Sequence, residues 1–245
     1  MVLTGTYQVG LLDTLWPIAF VLLVSTLFYI FRNTIRQSPL KKWIPILMLS
    51  LMILYDAKFI VNILMIFNQN ILVTMQELPL HLCASSSVLV ILYLSFRKEI
   101  FLDALILQGI IGALVTFIFP SVTDSPTTYE YYRFFFAHTL LFIVPMYAII
   151  VEGKRVGKRN LVIGFITLHI VGVLALIVNL IFGTHYMYIN ADITTNMYSF
   201  LPVNELFPIV NNYPLVIIVG ELIAIPVYFI FYFSLKRFQG ILDNK

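Results

Sequence analysis

Seven apolar stretches, separated by short runs of charge and turn residues, divide this chain: Leu11–Phe31, Trp43–Phe67, Pro79–Phe96, Ile100–Phe119, Phe134–Val151, Leu161–Phe182 and Leu215–Leu235. Each reaches the roughly 17–25 residues that a helix needs to cross hydrocarbon. The runs are continuous and lack the period-2 alternation of a membrane barrel. The pattern predicts an all-α polytopic membrane protein, a seven-transmembrane-helix bundle forming one domain over residues 1–245.

The polar positions between the stretches are not evenly shared. If the chain alternates sides, one side receives Arg32, Arg36, Lys41 and Lys42, then Arg97 and Lys98, then Lys154, Arg155, Lys158 and Arg159, and finally Lys236, Arg237 and Lys245. The other side holds only Arg133. Positive charge marks the cytoplasmic side, so the N-terminus is expected outside and the C-terminus inside. Composition agrees: 60% of residues are hydrophobic and 11% charged, with a mean hydropathy of +0.96, against about 25% charged in soluble domains. A net charge of +3 suits an anionic leaflet and gives no sign of nucleic-acid binding. The single cysteine excludes an intrachain disulfide. The first stretch is long and has no Lys or Arg before it, so it is expected to be retained as a span.

Several features stand against the apolar background. Asp56 and Lys58 lie deep inside the second stretch, and Glu221 inside the seventh. Charge there is unfavourable without a partner. Asp56 and Lys58 are too close along a helix to pair with each other, which leaves Lys58 with Glu221, or Asp56 with a histidine, as cross-helix pairs. Gly109 and Gly112 allow close helix approach, Gly183 is a helix stop, and His169 near mid-span reads as structural. The stretch Thr184–Pro214 carries Tyr186, Met187, Tyr188, Tyr198, Phe200 and Phe207, more apolar than a flexible linker. It is expected to form an interfacial cap on the outer face.

Helical rise places Cys83 and His138 each about 6 Å inside their spans, Asn179 about 5 Å and Glu221 about 9 Å from the same face. Four polar groups from four helices thus share the depth at which outer-leaflet lipid esters lie. A thiol with an imidazole base is the usual arrangement for acyl transfer. His138 is the better placed base, because His81 points about 200° away from Cys83 around the helix. The competing reading of Cys83 is a small buried hydrophobe, and that of His138 an interhelical hydrogen bond. His185, at a helix end, is either a ligand or an interfacial polar residue. No HxxxH or CxxC spacing points to a metal, and no GxSxG elbow is present. No metal or cofactor is expected.

Three segments carry a family resemblance: Leu78-Pro79-Leu80-His81-Leu82-Cys83, Phe134-Phe135-Phe136-Ala137-His138, and Asn179 through Tyr188. In them the chain resembles the YwaF-type bacterial integral membrane family, itself similar to the vertebrate transmembrane protein one-six-four acyltransferases. The resemblance covers the second to the seventh span and departs from the family pattern at His185, where Asn is usual. It implies that Cys83 accepts an acyl group and His138 activates it, with membrane phospholipid as substrate and the bacterial cytoplasmic membrane as location.

The sequence therefore leads to a membrane lipid acyltransferase or transacylase built on Cys83 and His138. His81, Asn179, His185 and Tyr186 are candidates for oxyanion stabilisation or substrate positioning, and Asp56, Lys58 and Glu221 for a buried polar network. Membrane lipids are the expected partners. The alternative is a transporter, sensor or binding subunit, marked by a continuous polar path through Asp56, Lys58, His169 and Glu221.

Overall fold

The computed structural model describes residues 9–55, 78–120, 125–188 and 215–243. Asp56, Lys58 and residues 189–214 of the aromatic segment lie outside the described residues. Within them the chain forms seven α-helices: α1 Leu11–Gln37, α2 Leu40–Tyr55, α3 Leu82–Phe96, α4 Glu99–Ile118, α5 Tyr129–Ile150, α6 Lys158–Phe182 and α7 Leu215–Asp243. A short 3-10 turn, Tyr186–Tyr188, follows α6. Helices α1, α4, α5 and α6 are each long and apolar enough to span a membrane. The protein is a polytopic helical membrane protein.

Local chemistry sets the helix ends, and in several places moves them beyond the apolar stretches. Helix α1 starts where the Asp13 carboxylate accepts from the Gly10 backbone N–H at 2.7 Å, and it runs past Phe31 to Gln37. Arg32 and Arg36 do not end it, because cations near a helix C-terminus complement its dipole. Helix α5 begins at Tyr129, where the Thr128 hydroxyl accepts from the Tyr131 N–H at 3.3 Å, one turn before Phe134. Helix α7 continues past Leu235 to Asp243, with the Lys236 ammonium 5.9 Å from the Tyr232 ring centre. Helix α3 starts later than Pro79, at Leu82, after an extended His81 (φ −77°, ψ 148°). Helix α6 stops at Gly183 in the left-handed region (φ 66°), a conformation that favours glycine.

Helices α4 and α5 are the centre: 72% and 78% of their spanning residues are buried, against 17% and 22% in α1 and α6. Helices α3, α5 and α6 surround α4, while α1 and α2 pack on α5 and α7 lies against α4 and α6. Leu105, Leu107, Phe117, Phe135, Val144 and Ala148 are fully enclosed. Leu22, Ile30, Ile170, Ile177, Leu222 and Phe233 are exposed, as befits helix faces solvated by lipid rather than water. Pro145 in α5 has no N–H for the Leu141 carbonyl. Gly109 of α4 lies so close to that oxygen that a Cβ would stand 2.6 Å from it. The missing side chain is what lets the two central backbones meet.

The basic connections gather at one end of the bundle. The turn between α3 and α4 places Arg97 in the left-handed region (φ 55°), and its guanidinium pairs with Glu152 beyond α5. Glu152 also accepts from the Tyr93 hydroxyl at 2.6 Å. Lys154 pairs with Glu99 at 2.5 Å, Arg159 with Asp103 at 2.7 Å and Arg155 with Asp243 at 3.0 Å.

Candidate functional site

At the opposite end, Cys83 is the second residue of α3, and its sulfur turns inward between α4 and α5. The Thr116 hydroxyl lies 3.5 Å from Sγ, and the Gly112 carbonyl accepts from the thiol at 3.9 Å. The His138 imidazole of α5 lies near enough to the same thiol to interact with it. Its Nδ1 is 2.5 Å from the Phe134 carbonyl one turn earlier. A carbonyl can only accept, so Nδ1 carries the hydrogen and Nε2 keeps the lone pair that a base needs. The Phe134 ring, 4.6 Å from the imidazole centre, packs beside it.

Thr116 and Gly112 are the site residues that the sequence reading passed over. Both sit on α4 four positions apart, which puts them on one face of the helix. Gln108, a further four positions along, is fully enclosed, with neither amide atom hydrogen-bonded. The spacing 108, 112, 116 was the available signal: one polar or small face on an otherwise apolar helix.

Other candidates converge on a different cluster. The Asn179 amide, 1% exposed, organises the chain after α6. Its Oδ1 accepts from the Thr184 hydroxyl at 2.7 Å and from the Tyr186 N–H at 2.8 Å, and its Nδ2 donates to the Tyr186 carbonyl at 2.9 Å. Tyr186 is buried, its ring edge-on to His81 with centres 5.1 Å apart. The His81 Nδ1 accepts from the Met187 N–H at 3.4 Å, and Met187 has a left-handed φ of 52°. His81, Asn179 and Tyr186 thus fasten this segment to the start of α3, beside Cys83. His185 is exposed between them.

The expected pairing of Glu221 with Lys58 falls outside the described residues. The Glu221 carboxylate lies 3.3 Å from the His169 Nε2. The pair lines a cavity of about 400 Å³ between α4, α6 and α7, whose other walls include Leu82, Val115, Leu168, Met187 and Tyr228. The volume falls in the range of small-molecule sites, about 300–1,000 Å³. Leu82 and Val115 are the chain neighbours of Cys83 and Thr116, so the cavity begins against the thiol's helix turn. It continues along α7 from Ile217 to Tyr228, about 16 Å of helix. Exposed Val173 and Ile223 on its rim open it sideways, where lipid would lie.

Compared with known proteins, the chain matches the model of the TMEM164 family over residues 6–232. That match covers nearly the whole chain and shows that the protein belongs to this family. No curated protein and no solved structure matches it.

Proposed function

We propose that this member of the TMEM164 family is a lipid acyltransferase that carries the acyl group on Cys83, with His138 as the base. The observation that carries the reading is an imidazole near enough to interact with the thiol, its Nδ1 tied to a carbonyl, with an apolar cavity at the neighbouring residues. In the first half-reaction Nε2 takes the thiol proton and the sulfur attacks the ester carbonyl of a lipid. The tetrahedral adduct collapses to a thioester, and the departing lipid hydroxyl takes the proton back from the imidazolium. In the second, Nε2 takes a proton from the acceptor hydroxyl or amine, whose oxygen or nitrogen attacks the thioester and regenerates the thiol. Proton transfer by a positioned base contributes about 10²–10⁴-fold.

The cavity supports a lipid substrate by its length. About 16 Å along α7 is close to the depth of one leaflet, half of a hydrocarbon core about 30 Å thick. An acyl chain whose ester lies at Cys83 would follow the cavity inward. The Thr116 hydroxyl, 3.5 Å from the sulfur, is proposed to position the ester. His81, Asn179 and Tyr186 are proposed to hold the wall that ends in Met187. By the distribution of basic residues the site end faces outside, and the protein lies in the bacterial cytoplasmic membrane.

One observation favours the transport or binding alternative: the His169 and Glu221 pair sits inside a cavity of otherwise apolar character. Intact-protein mass spectrometry separates the two readings. Purified protein incubated with phospholipid is expected to gain one acyl mass that hydroxylamine removes, and Cys83→Ala to gain none. Lipid bound without any covalent adduct would overturn the acyltransferase reading in favour of binding or transport.

A further inference from the structure

At the basic end, away from Cys83, the ends of α1, α5 and α7 enclose a second cavity of about 320 Å³. Its polar lining comes from Arg32, Asn33 and Arg36 of α1, and from Gln239 and Asp243 of α7. Arg32 and Arg36 are one helical turn apart and therefore share a face. Arg36 is spent on the end of α5: its Nε donates to the Val151 carbonyl at 2.6 Å and its Nη2 to the Ile150 carbonyl at 3.0 Å. These carbonyls satisfy hydrogen bonds but do not neutralise the charge.

Gln239 is also committed, accepting from the Val156 N–H at 2.8 Å and donating to the Lys154 carbonyl at 3.0 Å. The carboxylate in the lining, Asp243, is 3.0 Å from Arg155. Arg32 packs its guanidinium 4.8 Å from the Tyr29 ring centre, while its Nη1 is buried without a hydrogen-bond partner among the described residues. The cavity thus holds two guanidinium charges and one carboxylate that already has its own cation. A buried guanidinium nitrogen without an acceptor is costly. The group that best completes it is an oxyanion able to take a guanidinium fork.

We propose that this cavity binds a phosphate oxyanion, and that the phosphate is the headgroup of an anionic lipid in the leaflet at the basic end. The site lies where the connections of the bundle meet that leaflet's headgroups, and basic pockets between transmembrane helices commonly take such groups. The apolar side chain of Leu242 beside the charged residues suits a diester with its glycerol better than a free ion. This site is independent of the chemistry at Cys83.

The test is thermal unfolding of the full chain in neutral detergent, titrated with phosphatidylglycerol, phosphatidylcholine or inorganic phosphate. Phosphatidylglycerol is expected to raise Tm saturably, and phosphatidylcholine at least tenfold less effectively. Arg32→Gln should weaken the phosphatidylglycerol response at least tenfold. Arg237→Gln removes an exposed cation of α7 that does not line the cavity and should change the response less than twofold. Equal losses in the two variants would reduce the effect to a general surface field and overturn the site. Saturation by inorganic phosphate in competition with the lipid would overturn the lipid assignment and leave a soluble phosphate as the ligand. If Arg32→Gln does not fold, native mass spectrometry of the unaltered chain decides: one phosphatidylglycerol retained in preference to phosphatidylcholine upholds the proposal, and no preference overturns it.

Discussion

The basic end of the bundle is tied by ion pairs, Arg97 to Glu152, Lys154 to Glu99, Arg159 to Asp103, whereas the contacts around Cys83 are a hydroxyl, a carbonyl and an imidazole. The difference follows from what each end has to do. Connections that lie among headgroups can use charge, because water and lipid phosphates screen it. A thiol that must become a thiolate is served by neutral groups, since a neighbouring carboxylate would oppose its ionisation. The Asn179 cluster continues the neutral style, fastening a segment of backbone with amide and hydroxyl groups alone.

Changes at each end should therefore break different properties. His138→Gln removes the base while keeping a polar side chain of similar reach. It is expected to lower acyl transfer by about 10²-fold or more while Tm stays within a few degrees, as read by thioester formation and thermal unfolding; an unchanged rate would remove the base from the mechanism. Asn179→Ala removes the amide that pairs with the Thr184 hydroxyl and with both backbone groups of Tyr186, a loss of about 2–3 kcal/mol. Faster amide exchange at Tyr186 and Met187, with a severalfold fall in transfer, would show the cap loosening. Glu152→Gln should cost less, about 1–2 kcal/mol, because Arg97 is 43% exposed and water can take over part of the lost pairing. Its transfer rate per folded molecule should equal that of the unaltered protein; a large fall would mean that the two ends are coupled.

The number and order of helices were legible in the sequence because membrane spans are long and uniformly apolar. Their ends were less so: Arg32, Arg36, Lys236 and Arg237 interrupt hydropathy but are compatible with continued helix, so α1 and α7 outrun the apolar stretches. Depth along each span put Cys83 and His138 at one level, and the imidazole lies near enough to the thiol to interact with it. The same depth argument grouped Asn179 and Glu221 with them, yet those two face elsewhere. Depth comes from counting residues, but the direction a helix faces depends on its neighbours, and one sequence does not reveal that. The pairing sought between Glu221 and the second span falls on residues outside those described, while His169 of the sixth span, read as structural, lies beside Glu221. Gly112 read as a packing residue and Thr116 drew no reading, because small side chains at helix contacts carry the same pattern whether or not a thiol lies opposite.

The way α1 is held has a consequence for how the protein comes to be built. At one end Trp16 donates to the Tyr131 hydroxyl at 3.2 Å, and that hydroxyl donates to the Asp13 carboxylate; at the other, Arg36 caps the carbonyls of Ile150 and Val151. Both fastenings lie on α5, well over one hundred residues later in synthesis. At translation rates of about 5–20 residues per second, the first helix waits on the order of ten seconds for its partner. During that interval it must stand in the bilayer without its fastenings to α5, which its mean hydropathy of 2.0 and largely lipid-exposed surface permit. Helix α1 is thus made well before the helix that locks it, and a nascent chain halted before Tyr131 would display Asp13 and Arg36 to any quality-control factor that surveys unassembled spans.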